Sequence, residues 1–130
     1  MPRRSRRRQP LPTPHAPPPP RARARAQVAV ADVLQSQVDA LLAKTPAAIS
    51  PGRAQLLYSL TARLEKPLLP DVSACLRSLL RHCVAARRQL GDAHDPMLPH
   101  LNVLLAVTGG YFGQDELLCK QLGVDFHELL

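Results

Sequence analysis

A chain that catalyses a reaction or holds a metal sets nucleophiles, bases or ligands at short spacings, so the histidines and cysteines come first. The five histidines, His15, His82, His94, His100 and His127, are scattered, and no pair has the spacing that places two imidazoles on one helix face. His82 directly precedes Cys83, which turns the two to different sides of a helix. Cys75, Cys83 and Cys119 make an odd number with no C-x-x-C spacing, so neither a disulfide framework nor a zinc site is indicated and a reducing intracellular compartment is the default. There is no glycine-rich phosphate loop and no nucleophile flanked by a base. What remains is two polar residues in awkward places. Arg53 falls in the first turn of an expected helix, where the positive end of the helix dipole disfavours a cation, and Asn102 adjoins an apolar face, where burial without a partner is costly. Such side chains recognise rather than react. Arg53 is either a solvated surface arginine or one that waits for an acid on another molecule.

The elements that position them are helices. Val30, Val33, Leu34, Val38, Leu41 and Leu42 recur at three and four, giving one apolar stripe from Val28 to about Ala43. Thr45-Pro46 stops it. Ser50-Pro51 supplies an N-cap followed by a proline at the first helical position, and Leu56, Leu57, Leu60 and Leu64 carry a second helix to Lys66. The heptapeptide Leu64-Glu65-Lys66-Pro67-Leu68-Leu69-Pro70 ends that helix and starts the next. Pro67 removes a backbone donor and pushes Lys66 out of the helical region, whereas Pro70 suits a first turn. With Leu68 and Leu69 between them, this reads as a rigid, buried corner. A third helix from Pro70 to about Leu90 has the longest stripe, Val72, Cys75, Leu76, Leu79, Leu80, Cys83 and Val84, and is expected at the centre of the core, with both cysteines as small buried hydrophobes. Arg77, Arg81, Arg87 and Arg88 read as its solvated face, and Gly91 as its stop. A fourth helix starts at Asp95-Pro96 with Met97, Leu98, Leu101, Leu104, Leu105 and Thr108 facing inward, weakened at Gly109-Gly110 before Tyr111-Phe112. Gln114 to Leu118 suits a short fifth helix, and Phe126, Leu129 and Leu130 belong to a C-terminal tail.

The ends differ in composition. Residues 1–26 hold eight of the 17 basic residues, eight of the 14 prolines and none of the ten acidic ones, which leaves nine basic against ten acidic, a net −1, for the rest. The overall +7 is therefore a property of the tail and gives no ground for a basic, nucleic-acid-binding domain. The tail is expected to stay disordered or polyproline-like. Its arginines fit a nuclear-import or RNA-contacting arm, a transit peptide, or a merely solvated segment. No apolar run approaches the ~18 residues of a membrane span. The expectation is an all-α chain: a tail over 1–26, a small bundle of four to five helices over 27–118, and a second tail over 119–130.

Taken together, Gly52-Arg53, Leu57-Tyr58-Ser59-Leu60, the uninterrupted Leu64-Glu65-Lys66-Pro67-Leu68-Leu69-Pro70, the Leu-Arg-x-Leu-x-Arg-x-Cys pattern ending at Cys83, Leu101-Asn102-x-Leu104-Leu105 and Tyr111-Phe112-x-Gln114 resemble the C-terminal domain of the Gemin-2 family. The similarity runs from about Val28 to Leu118. It implies a non-catalytic adaptor, without cofactor or small-molecule substrate, acting in assembly of spliceosomal small nuclear ribonucleoproteins in cytoplasm and nucleus. It implies that the bundle receives an amphipathic helix of the survival of motor neuron protein (SMN) and touches the Sm D1/D2 pair. Arg53 matches a family arginine that pairs with an acid on that helix, and Leu57, Leu60, Asn102 and Tyr111 are the accompanying contact residues. The chain departs from the family at Ala54, where a tryptophan can stand, at Gly109-Gly110, and before Val28, where the arginine- and proline-rich tail occupies the place of a further helix and an acidic arm. The alternatives are an RNA-binding helical protein acting through its arginine-rich tail, and a truncated product of the family.

Overall fold

The computed structural model describes Pro14, residues 16–44 and residues 49–114. Four α-helices follow one another, α1 (Pro20–Leu42), α2 (Pro51–Ala62), α3 (Pro70–Gln89) and α4 (Leu98–Leu105), and a π-helical segment (Ala106–Tyr111) continues α4. The described residues contain no strand, as expected for an all-α bundle. α1 and α4 each pack against both α2 and α3, so the four helices enclose one core in which α2 and α3 meet chiefly through the other two. That core is built from Leu34, Val38 and Leu41 of α1, Leu57 of α2, Leu76, Leu79, Leu80 and Cys83 of α3, and Leu101, Leu104 and Leu105 of α4.

The helix starts follow their local chemistry. Ser50 caps α2, its Oγ accepting from the Arg53 N–H at 3.3 Å, with Pro51 in the first turn. Pro70 opens α3 with Asp71 at its positive end, and Arg87 and Arg88 sit at its negative end. The stop at Gly91 works differently from the expectation. α3 ends at Gln89 with Leu90 already extended, and the chain's positive-φ glycine among the described residues is Gly113 instead. Asp95 begins the approach to α4 by accepting from the Met97 N–H at 2.8 Å, a turn that delays the helix to Leu98. Gly109 and Gly110 do not end it. The Phe112 N–H reaches back five residues to the Val107 carbonyl at 3.1 Å and the Gln114 N–H to Gly109 at 3.1 Å, while the Thr108 hydroxyl bonds the Leu104 carbonyl at 2.7 Å.

Two expectations are corrected. α1 begins at Pro20, not Val28, so residues 20–26 are helix rather than tail. Pro20 suits a first turn and the Arg-Ala alternation consists of good helix formers; the turns so formed are held from outside the stripe. The Arg23 guanidinium donates to Glu65 at 2.9 Å, and the Gln27 amide clamps the corner, donating to the Arg63 carbonyl at 2.9 Å and accepting from the Glu65 N–H at 3.0 Å. The second correction concerns the corner. α2 ends at Ala62, Leu64 is buried, Leu68 is half-buried and Leu69 is 64% exposed. Polar clamps from Gln27 and Arg23, not burial of both leucines, hold the corner. Lys66 completes it by donating to the Tyr111 carbonyl, with its ammonium 4.1 Å from the Tyr111 ring centroid.

Cys83 is buried as expected, whereas Cys75 is only half-buried against the core. Burial pushes the Cys83 thiol up to about 12. It pushes Cys75 up to about 11, aided by the Asp39 charge, so neither thiol is poised for reaction. The expected fifth helix beyond Gln114, the C-terminal tail and Cys119 lie outside the described residues, as do residues 1–13.

Candidate partner-binding groove

α2 and α4 leave a groove between them of about 370 Å³, lined by Ala54, Gln55 and Tyr58 on one side and Pro99, His100 and Val103 on the other. Its position follows from the helical period. On α2 the inward residues are Ala54, Leu57 and Thr61, so Tyr58, one step past Leu57, turns outward. On α4 the inward residues are Leu101, Leu104 and Leu105, and Val103 turns outward in the same way. Tyr58 and Val103 are 46% and 45% exposed, and Leu56 beside them is also exposed. Ala54, the departure at the family's tryptophan position, is buried, so a small side chain forms the floor there.

Two residues next in sequence to this lining each hold a buried polar atom with no hydrogen-bond partner among the described residues. Arg53 precedes Ala54 on α2, and its Nη1 is buried without a hydrogen bond. Asn102 precedes Val103 on α4, and its Oδ1 is likewise buried and unbonded. An unpartnered buried donor or acceptor costs about 1–3 kcal/mol and more when charged, so the Arg53 nitrogen favours a molecule that brings an acceptor and the Asn102 oxygen one that brings a donor. Arg53 gains little from its own helix, since it sits at the positive end.

The five residues expected to contact a partner thus separate. Arg53 and Asn102 immediately precede the lining residues Ala54 and Val103 in sequence and are not themselves part of the lining. Leu60 is half-buried against the core. Leu57, at 0% exposure, belongs to the core and offers no surface, because the stripe that builds α2 turns it inward. Tyr111 is 60% exposed but stands with Lys66 beyond the C-terminal end of α2, which lies about 14 Å along the helix from Arg53. Tyr58, His100 and Val103 were missed by periodicity, which finds what faces the core. The signal that marks them is a large apolar residue one step off the stripe.

A family model described as survival motor neuron (SMN) interacting protein 1 (SIP1) matches residues 7–115, most of the chain. The chain belongs to that family. The match begins well before Val28, in keeping with the early start of α1. Among curated proteins the chain is similar to the Gem-associated protein 2 of Mus musculus, 38% identical over 68 residues, which is 52% of this chain and 25% of the relative. It is similar to that of Dictyostelium discoideum at 39% over 64 residues, 49% of this chain and 19% of the relative. For Xenopus laevis the figures are 37% over 68 residues, 52% and 26%. The chain thus spans about a fifth to a quarter of the length of these relatives. No solved structure matches significantly.

Proposed function

We propose that this chain is a non-catalytic adaptor that receives an amphipathic SMN helix in the α2–α4 groove, in the service of spliceosomal ribonucleoprotein assembly and hence of pre-mRNA splicing. Family membership supports the partner, because the family is named for its interaction with SMN. The observation that carries the reading is an open groove together with the unbonded Nη1 of Arg53, the residue that precedes Ala54 of its lining. Apolar anchors at i, i+3, i+4 and i+7 of the incoming helix fill the lining, and one carboxylate meets Arg53 and fixes the register. Contact with Sm D1/D2 and residence in both cytoplasm and nucleus belong to the same proposal.

Fluorescence anisotropy with a labelled SMN-type helix tests it. Removing one side of a desolvated charge pair costs about 2–5 kcal/mol, so Arg53→Glu weakens binding by roughly 30-fold or more. Reversing the helix's acid to lysine restores part of the loss. Equal affinity of wild type and Arg53→Glu refutes the assigned role of Arg53.

A further inference from the structure

We propose that the pocket between the end of α3 and the approach to α4 is a second docking site, one that takes an acidic peptide segment of another protein carrying a large apolar side chain beside a carboxylate. It shares no lining residue with the α2–α4 groove, so the inference stands apart from the SMN reading.

The pocket follows from where two apolar stripes end. Val84 is the last large apolar residue of the α3 stripe, and Leu98 and Leu105 lie two turns apart on one face of α4. Leu90, where α3 gives way to extended backbone, completes an apolar wall around about 290 Å³. Small-molecule sites run from about 300 to 1,000 Å³, so this one has room for a single large side chain and little more. Gly91 lines it as well. No positive φ calls for glycine there, and a Cβ at that position would meet nothing within 4 Å, so the space over Gly91 is open.

Arg87 and Arg88, from the last turn of α3, supply its basic edge. The negative end of the helix dipole accounts for cations in that turn but satisfies none of their N–H groups. Neither arginine has an ion pair among the described residues, and Arg87 Nε is buried with no hydrogen-bond partner. Asp92, the acid in the lining, pairs with neither and accepts instead from the His94 N–H at 2.9 Å. The same turn holds spare acceptors. Past the helix only the Leu90 N–H returns to α3, 3.2 Å from the Arg87 carbonyl, which leaves the other carbonyls of the last turn without a backbone donor among the described residues. The pocket therefore calls for an apolar group, a carboxylate and N–H donors close together. A peptide with an acidic residue next to an aromatic or aliphatic one brings all three, whereas a fatty acid lacks the N–H donors. The other exposed apolar pocket, between α1 and the corner, makes no such demand: the charged groups in its lining are already engaged, Glu65 by Arg23 and Lys66 by the Tyr111 carbonyl.

An NMR titration of the isotope-labelled full chain with the blocked tripeptide acetyl-Glu-Phe-Glu-amide tests the proposal. The amides of Leu90, Gly91 and Ala93 are expected to shift saturably while those of Tyr58 and Val103 stay in place. The neutral probe acetyl-Gln-Phe-Gln-amide should bind at least ~10-fold more weakly, the loss of a charge-assisted hydrogen bond to a half-buried arginine. Arg87→Gln should remove most of that difference, because Arg88 is exposed and its pairing is screened by solvent. Gly91→Leu fills the open space and should weaken the acidic probe by at least ~10-fold, with the amide spectrum away from the pocket unchanged from wild type. Equal affinity of the two probes for the wild-type chain overturns the proposal and requires no variant. So does a titration that shows no saturation by ~10 mM acidic probe, or one whose shifts centre on Tyr58 and Val103 in the groove. Saturation by decanoate with none by the acidic probe assigns the pocket to a lipid and overturns it as well.

Discussion

α2 and α3 both begin on proline, and both were built from a leucine stripe, yet they finish differently. α3 buries eight of its 20 residues, and none of its large apolar side chains is exposed. α2 buries three of 12 and leaves Leu56 and Tyr58 in solvent. The difference follows from neighbours. α3 carries its stripe over five turns and packs along α1 and α4, whereas α2 is short and the side it shares with α4 stays open at Tyr58 and Val103. A helix that satisfies its own apolar residues acts as scaffold; one that cannot presents a surface for another molecule.

Breaking α3 should therefore have the largest effect on stability. Leu79→Ala or Leu80→Ala, both at fully buried positions, is expected to cost about 2–5 kcal/mol in chemical denaturation. A loss below about 1 kcal/mol for both would remove α3 from the centre of the core. The outward positions should behave in the opposite way. Val103→Asp is expected to shift stability by no more than about 0.5 kcal/mol while abolishing binding of the SMN-type helix, because it puts a charge into the groove and nothing into the core. If the same substitution unfolds the chain, Val103 is a core residue and the contrast between the two faces fails.

A pH titration sharpens the comparison within α3 itself. His82 is buried, its Nε2 has no partner, and burial lowers its pKa below the ordinary 6.5. In the folded chain it is neutral where the unfolded chain would already be protonated, so the unfolded state binds more protons as pH falls below about 6.5, and stability declines with acidification. Wild type should lose more stability between pH 7 and pH 5 than His82→Leu; identical pH profiles would show that His82 pays no penalty for its burial. The smallest effect belongs to the start of α1. Arg23 and Glu65 are both substantially exposed, so Arg23→Ala should cost at most about 1 kcal/mol. It should raise amide exchange over residues 20–27 alone, and unchanged exchange there would mean that the first turns of α1 do not depend on the corner.

Four helices and their order were legible because each carries a 3.6-residue stripe with a proline or a capping residue at its start. The early start of α1 was not. Its first turns bury little and are held by Arg23–Glu65 and by the Gln27 clamp, contacts 36 to 42 residues apart in sequence that no local pattern announces. The corner was half legible: its prolines mark the break, but Leu69 stays exposed because the polar clamps, not the leucines, close it. Of the proposed site, the candidates Arg53 and Asn102 were legible as polar residues in unfavourable places. Tyr58, His100 and Val103 could not, since they form a groove only when α4 lies beside α2. Leu57 was misplaced for the same reason: a core stripe and a binding stripe look identical until the neighbour is known.

The most direct measurement is an NMR titration of the isotope-labelled chain with an SMN-type helix. The account predicts saturable shifts confined to the α2–α4 groove, with Arg53, Gln55, Tyr58, His100 and Val103 the most affected and the buried centre of α3 unchanged. Shifts gathered instead around Val28 and Leu69, at the pocket between α1 and the corner, would contradict it.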